Sequence, residues 1–450
     1  MRESLEASMS FSYKNELVFF EPLSKDDMLF YAPTLGICLN VSSALANRMM
    51  SYFTSEDEFA EFNQLLENCY LKRNEVYELG SVKSRFFHIA LGLTENCTLA
   101  CVYCHADAGR PNVMPKEIIE ASVKFAKEKV IENELKGINL SFAVGGEPTF
   151  DFERLKYCVE EFRKAAKEVN VSLTTSVTTN GYYDEDKSSW IAENIDNILV
   201  SVDGVADIQN MQRPSRGGQD SFEKVFNTLR IIYEKKQQLN VRSTISNKNV
   251  GRVKEFIDLL SENFPHDVNL VLEPLVPLGR GEHLGGVGVS EPDQTEFAEK
   301  IWEAYCYAED IKKSVKVSTS AMNADRLVSG FCGAMFIPSF TVTTNGIVTT
   351  CERDYTGQNY GYGFFDSEKK EFLIDNNKME INKKRVEIPS KCNDCIGRYH
   401  CAGDCPDLRT IGYERCELIR FFIKNRLIRK LKRKEDIGEY EYKGTYEEFC

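Results

Sequence analysis

Three cysteines crowd one short stretch, ENCTLACVYCHADAG (residues 95–109): Cys97, Cys101 and Cys104, with three and then two residues between them. Structural zinc takes four ligands, usually as two CxxC-type pairs, and no fourth cysteine is nearby. The stretch is therefore an incomplete zinc site, a set of thiols without metal, or a metal site left open. Three thiolates from one loop suit a 4Fe–4S cubane with three protein-bound irons and a fourth free to chelate another molecule. GGEP, Gly145–Pro148, adds a second element. Paired glycines let a ligand approach the backbone closely, and Glu147 offers a carboxylate to an ammonium group. Beyond residue 315 lie seven more clustered cysteines: Cys332, Cys351, Cys392, Cys395, Cys401, Cys405 and Cys416.

The elements that must position these residues repeat regularly. From about residue 85, six strand-like segments alternate with six helical ones: FFHIALGL, INLSFAVGG, VSLTTSVTTNG, NILVSVDG, NVRSTIS and VNLVLEPLVPL, each followed by an amphipathic run. Such alternation implies a parallel sheet with right-handed crossovers. Six units are too few for a complete eight-fold barrel and predict an open, partial one. Chemistry in such folds sits at the carboxyl ends of the strands. The cysteine loop, GGEP, TTNG and SVDG follow strands one to four in that order, so they converge. Residues 1–80 read as a separate unit of strands (NELVFFEPL, DMLFYAPTLGICLNV) and two helices. After residue 315 the alternation stops, and a loop-rich segment with little core of its own would need metal to fold.

Bulk properties set limits. A chain of 450 residues predicts two or three domains. With 42% apolar and 28% charged residues it reads as a soluble globular protein. The N-terminus lacks a secretory pattern, and no apolar run is long enough to span a membrane, so a cytoplasmic location is expected. A net charge of −13 argues against a broad nucleic-acid surface. The basic segment 420–434, RFFIKNRLIRKLKRK, can gather Phe421, Ile428 and Leu431 on one helical face and reads as an amphipathic surface helix, with membrane or nucleic-acid contact the alternative. Fifteen cysteines in a reducing compartment point to metal or redox chemistry. Cys158 and Cys306 read as ordinary buried residues, and Cys38, Cys69 and Cys450 are scattered.

Taken together, Cys97, Cys101 and Cys104 with Tyr103 before the last, the GGEP loop, six βα units and a cysteine-rich tail resemble the radical SAM superfamily. The resemblance implies S-adenosylmethionine (SAM) chelating the open iron, and reductive cleavage to a 5′-deoxyadenosyl radical that abstracts hydrogen from substrate. Carried over to this sequence, it nominates Tyr103, Gly145, Gly146 and Glu147 around the methionine end, Ser201 and Arg213 (from SVDGVADIQNMQRP) for ribose and carboxylate, and Leu275 for the adenine. Asp203 and Arg242 also lie near strand ends. The downstream cysteines, with Gly346 between Cys332 and Cys351, resemble the seven-cysteine SPASM pattern. By that pattern Cys392, Cys395, Cys401 and Cys416 hold an outer auxiliary cluster. Cys332, Cys351 and Cys405 hold an inner one with one open or non-cysteine position, and the total is three 4Fe–4S clusters. Glu352 stands where sulfatase-maturing relatives carry an acidic general base.

The expected architecture is thus a small N-terminal α+β domain (1–80, winged-helix-like, resembling precursor-recognition domains), a partial (β/α)6 radical SAM barrel (85–310), a SPASM domain (315–420), and a basic helix with an acidic tail (421–450). The expected activity is maturation of a ribosomally synthesised precursor peptide bearing a leader, by an intramolecular cross-link such as a thioether. Reducing equivalents would come from a flavodoxin or ferredoxin. The alternative is oxidation of Cys or Ser to formylglycine, and a non-catalytic electron carrier or zinc scaffold is the reading from another class. No nucleic-acid partner and no membrane span are expected.

Overall fold

The computed structural model describes residues 8–55, 59–72, 84–281, 288–311, 314–325, 327–336 and 339–436. Side chains at 335–336 and 433–436 are outside that description, as is the acidic tail beyond 436. The chain forms two compact units. One comprises Met1–Ser81, Ala321–Cys332 and Val386–Cys450, the other Val82–Ser320 and Gly333–Arg385.

The first unit opens with an antiparallel meander, β1 (Met9–Tyr13), β2 (Glu16–Pro22), β3 (Asp27–Ala32) and β4 (Ile37–Ser42), in that spatial order. Lys14 and Asn15 both have positive φ, 49° and 71°, as the tight turn between right-twisted strands requires. Helices Ser43–Thr54 and Ala60–Leu71 follow. Phe20, Phe30 and Phe62 are fully buried between sheet and helices. β1 went unread in the sequence because MSFSY is only five residues long and mostly half-exposed. Within the same unit the Tyr31 hydroxyl lies 2.6 Å from His400 Nε2, and the rings stack.

Helix Cys416–Asp436 realises the basic segment. Its buried face is Leu418, Ile419, Phe422, Ile423 and Leu427, and not the face of Phe421, Ile428 and Leu431 expected from the sequence, which is only half-buried. Its cations are partly committed within the unit: Lys424 donates to Pro22 O at 2.8 Å, and Arg426 and Lys430 pair with Asp325 at 2.7 and 2.9 Å. Among the described residues no helix is long and apolar enough to cross a membrane.

The second unit is built on one sheet. The six expected strands are β5 (Phe86–Leu91), β6 (Gly137–Phe142), β7 (Ser172–Thr179), β8 (Asn197–Ser201), β9 (Leu239–Ile245) and β10 (Val268–Pro274). Each is parallel to the next. Alternate residues such as Ile198, Val200, Val241, Leu270 and Leu272 are buried toward the crossover helices. The intervening residues, Leu199, Ser201, Asn240, Arg242, Thr244, Asn269 and Glu273, occupy the other face and retain solvent access.

The sheet runs further than the sequence pattern predicts. β11 (Val315–Ser318) pairs parallel with β10, and β12 (Phe340–Val342) pairs parallel with β5. β13 (Ile347–Thr349), β14 (Gly361–Asp366) and β15 (Glu371–Ile374) continue antiparallel, giving the order β11-β10-β9-β8-β7-β6-β5-β12-β13-β14-β15. The segment expected to lack a core therefore borrows one. Phe340 stacks on Phe125 at 4.3 Å and meets Phe372 edge-on at 5.1 Å. Strands of three or four residues are too short to show a period, which is why the reading stopped at residue 315.

Gly346, the glycine of the downstream cysteine pattern, makes the β12–β13 turn. Its φ is +84°, and a Cβ there would lie 2.9 Å from both Ile118 Cδ1 and Phe365 Cβ. Gly346→Ala combines left-handed strain with a clash in the core. We expect it to destabilise the protein by about 1–3 kcal/mol, read from the denaturation midpoint of the metal-free chain.

Candidate active site

The cysteine loop leaves β5 and is fixed by the ends of its neighbours. Gly146 N donates to Thr94 O at 2.8 Å and Glu147 N to Asn96 O at 2.7 Å. Ala100 N bonds Pro214 O, Val102 N bonds Gln212 O, and Arg216 N bonds Thr98 O, at 2.8, 3.0 and 3.0 Å. After β10, Arg280 N donates to Cys104 O at 3.1 Å. A Cβ on Gly146 would sit 2.0 Å from Asn96 O. The glycine pair thus admits the cysteine loop itself, and Gly145, with φ +84°, makes the turn.

Glu147 is buried, and its carboxylate accepts from Thr149 N, Thr149 Oγ1, Thr179 Oγ1 and Asn180 N at 3.1, 2.8, 2.8 and 2.7 Å. Burial nevertheless pushes its pKa up, against those hydrogen bonds. Its oxygens are engaged in tying the β6 loop to the end of β7. Asn180, the asparagine of TTNG, continues the tie: its Nδ2 reaches Cys97 Sγ at 3.4 Å and Thr98 Oγ1 at 3.0 Å. The sequence reading had placed TTNG near the site without giving Asn180 a task.

Two arginines unread in the sequence clamp the loop. Arg216 donates to Cys97 O at 2.8 Å and Ala108 O at 2.5 Å. Arg280 donates to Cys101 O at 3.1 Å, to Ala108 O and to Asp107 Oδ1 at 2.7 Å. A side chain at Gly109 would overlap the Arg216 guanidinium. Their partners are backbone carbonyls far away in sequence, so no local spacing announces them.

Beneath the loop lies a buried charged network. The Tyr103 hydroxyl donates to Asp203, and Arg213 Nη1 donates to the Tyr103 oxygen at 2.7 Å. Asp203 also accepts from Gln212 Nε2 and Thr244 N at 2.9 and 3.0 Å. Burial, with Asp203 alongside, holds the Tyr103 pKa well above its usual range. Arg213 Nε is buried and donates to nothing among the described residues. Leu275 is fully buried and packs with Val289 against Val102 and Tyr103, so it supports the loop from below. Ser201 ends β8, half-buried on the face opposite the helices.

The three loop thiols suit a shared cluster. Burial raises the pKa of Cys97 to about 11 and of Cys101 to about 12; Glu147 and Cys104 add to the rise at Cys97, and Cys97 and Cys104 to that at Cys101. Asn180 Nδ2 and Ala108 N point at the sulfurs of Cys97 and Cys104, the latter at 3.5 Å, as donors do around cluster thiolates. Among the described residues no three His, Cys, Asp or Glu side chains converge as the ligands of a single ion do. A cubane takes each thiolate on a different iron, so a three-cysteine loop can serve it without such convergence. The unpartnered Arg213 Nε beside this loop fits a carboxylate.

In the first unit, Cys392, Cys395, Cys401 and Cys416 line one pocket together with Lys391, Arg409, Arg420 and Glu414. Burial raises the pKa of Cys392 and Cys416, and that of Cys401 to about 12, with neighbouring thiols contributing. Four thiols under a cationic rim match a cluster that is anionic once four thiolates bind it. A buried bidentate pair braces the cavity: Arg415 Nη2 and Nε donate to Asp404 at 2.5 and 3.0 Å. Ala402, Gly403 and Asp404 all have positive φ (47°, 89° and 61°), folding the chain tightly between Cys401 and Cys405. Of the inner set, Cys332 and Cys405 belong to this unit and Cys351 to the other. Glu352 follows Cys351 in the loop after β13, and desolvation pushes its carboxyl pKa up.

Residues 91–266 match the model of the radical SAM superfamily. The chain carries a radical SAM domain. Over 339 residues it is 25% identical to the cysteine-type anaerobic sulfatase-maturating enzyme of Clostridium perfringens, covering 69% of this chain and 86% of that enzyme. It is 26% identical over 172 residues to the sporulation killing factor maturation protein SkfB of Bacillus subtilis, covering 37% of this chain and 38% of that protein. The structure of native anSMEcpe with bound AdoMet and Cp18Cys peptide shares the fold, with a TM-score of 0.58 at 20% identity over 77% of this chain and 99% of that one. This is a radical SAM enzyme, which uses SAM and an iron–sulfur cluster.

Two outcomes follow from the radical SAM domain's clamp and from the brace of the outer cavity. Arg216→Ala and Arg280→Ala each delete charge-assisted bonds to the cysteine loop. Each is expected to speed chelator-driven iron release roughly tenfold while the circular dichroism spectrum is unchanged. Arg415→Ala leaves Asp404 charged and buried. It should cost about 3–5 kcal/mol in denaturation of the metal-free chain, with Arg415→Lys recovering only part of the loss.

Proposed function

We propose that this enzyme matures a ribosomally made precursor peptide by forming an intramolecular cross-link, such as a thioether to a substrate cysteine. The proposed complement is SAM with three 4Fe–4S clusters, as the resemblance to the SPASM pattern implies, and a flavodoxin or ferredoxin supplies electrons. Cys97, Cys101 and Cys104 hold the SAM-cleaving cluster. Arg213 holds the SAM carboxylate, Ser201 the ribose, and the Gly145–Gly146 backbone the amino group. When bound, that pair supplies a 5′-deoxyadenosyl radical that removes one hydrogen atom from the substrate.

The single observation that carries the reading is the second cysteine cavity, Cys392–Cys416. Joining sulfur to carbon removes two hydrogens. One leaves as the abstracted atom, the other as a proton and an electron. The proton needs a base, and Glu352, whose pKa is raised by desolvation, is the candidate. The electron needs an acceptor, and a cluster held by Cys392, Cys395, Cys401 and Cys416 is one. Among the described residues β1 and β4 are the edge strands of the N-terminal meander, and a leader strand can add to such an edge. The same electron balance serves a second reading, oxidation of a Cys or Ser side chain to formylglycine. The 339-residue match to a sulfatase-maturating enzyme favours it, and the residues outside that match, 31% of the chain by difference, count against it.

Anaerobic incubation of reconstituted enzyme with SAM and dithionite is expected to yield 5′-deoxyadenosine, and Cys101→Ala to yield none. With a cysteine-containing peptide encoded beside the gene, the expected product has lost two hydrogens and no longer reacts with iodoacetamide. Loss of sulfur with a hydrazide-reactive aldehyde would establish the second reading instead. Glu352→Gln is expected to stop product formation while SAM cleavage continues. Unchanged turnover in that variant would remove Glu352 as the base.

A further inference from the structure

We propose that the face of the sheet opposite the helices carries a carboxylate-recognition subsite centred on Arg242, which selects substrates bearing an acidic group close to the reacting residue. The inference rests on the peptide reading above and adds to it a chemical requirement on the substrate.

Strand register places Arg242 between Ser201 on β8 and Val271 on β10. Its neighbours in β9, Val241 and Ser243, are fully buried on the helix side, while Arg242 is exposed on the other face. Arg242 thus projects where the residues at the strand ends gather. A guanidinium is charged at any working pH, and among the described residues the Arg242 side chain has no ion-pair or hydrogen-bond partner. The nearest acid in register is Glu273, opposite Thr244 one step along the same face. Its carboxylate already receives Ser320 N at 2.7 Å and Ser320 Oγ at 2.8 Å.

Water balances Arg242 while the face is open. A radical enzyme must exclude water once substrate is bound, and an enclosed guanidinium then requires a partner. The SAM carboxylate already has a donor waiting, the buried Arg213 Nε. The anion for Arg242 therefore comes with the substrate, as an Asp or Glu side chain or as a terminal carboxylate.

The test uses reconstituted full-length enzyme loaded with SAM, kept anaerobic, and short fluorescein-labelled peptides with a central cysteine. One set carries Asp or Glu near the cysteine against Asn or Gln, and another carries a free against an amidated C-terminus. Fluorescence polarisation is expected to show one carboxylate set binding roughly tenfold more tightly than its amide partner. The set that shows the preference identifies the source. Arg242→Ala should erase the preference, Arg242→Lys should keep part of it, and equilibrium dialysis of SAM should be unchanged in both. Equal binding of acid and amide peptides by the parent enzyme overturns the inference alone. So does a preference that survives Arg242→Ala, or a loss of SAM affinity in that variant without a change in peptide preference. If no peptide binds while SAM is cleaved, the peptide reading falls and this inference falls with it.

Discussion

Everything in the radical SAM domain hangs on how one loop is held against the ends of its sheet. Three thiols that must serve one cluster cannot sit on a mobile segment, because each would lose its place when the others shift. The chain meets this with charge placed under and around the loop. Asp203 and Arg213 are buried with Tyr103 between them, so the loop's aromatic residue is bonded from both sides. Arg216 and Arg280 close on its carbonyls from the other direction. A buried charge network is costly unless every member is paired. Here a buried donor left unpaired among the described residues, Arg213 Nε, is the atom a bound carboxylate would complete.

The same logic recurs in the other unit with different means. The Asp404–Arg415 pair joins the stretch after Cys401 to the residue before Cys416, so the outer cysteines are spaced by an ion pair before any iron arrives. Burial keeps the thiols of Cys392, Cys401 and Cys416 protonated near neutrality in the metal-free protein. On the proposal that these cysteines hold a cluster, iron would displace protons as it binds, and its binding would become part of the unit's stability. The cationic rim would then favour the anionic, metal-bound form over the neutral thiols.

What could be read in advance follows from periodicity. The six βα units declare themselves because strands of five to eight residues and helices of ten or more show their periods clearly. β1, β11 and β12 to β15 do not, being short or set in polar and aromatic surroundings that mimic loops. Cysteines are legible by type and spacing alone, and so is Gly346. Gly145 and Gly146 were legible as glycines, yet the neighbour they admit is Asn96 of the cysteine loop. Glu147 was legible as a carboxylate, yet its partners are Thr149, Thr179 and Asn180. Arg216, Arg280 and the Asp404–Arg415 pair were illegible, because each acts across a distance in sequence that no local pattern encodes.

Strand alternation explains why substrate preference belongs on this sheet. The period of two sends most apolar residues to the helices and leaves the other face, apart from Leu199 and Val271, to Ser201, Asn240, Arg242, Thr244, Asn269 and Glu273. A sheet built only for stability would put apolar side chains there too, since parallel strands are usually buried on both faces. A polar face is tolerable while water reaches it and becomes demanding when a ligand expels that water. Glu273 is already satisfied by Ser320, whereas Arg242 is not, so the demand falls on one charge of one sign. That asymmetry turns a general radical-generating domain into one that can tell one substrate from another.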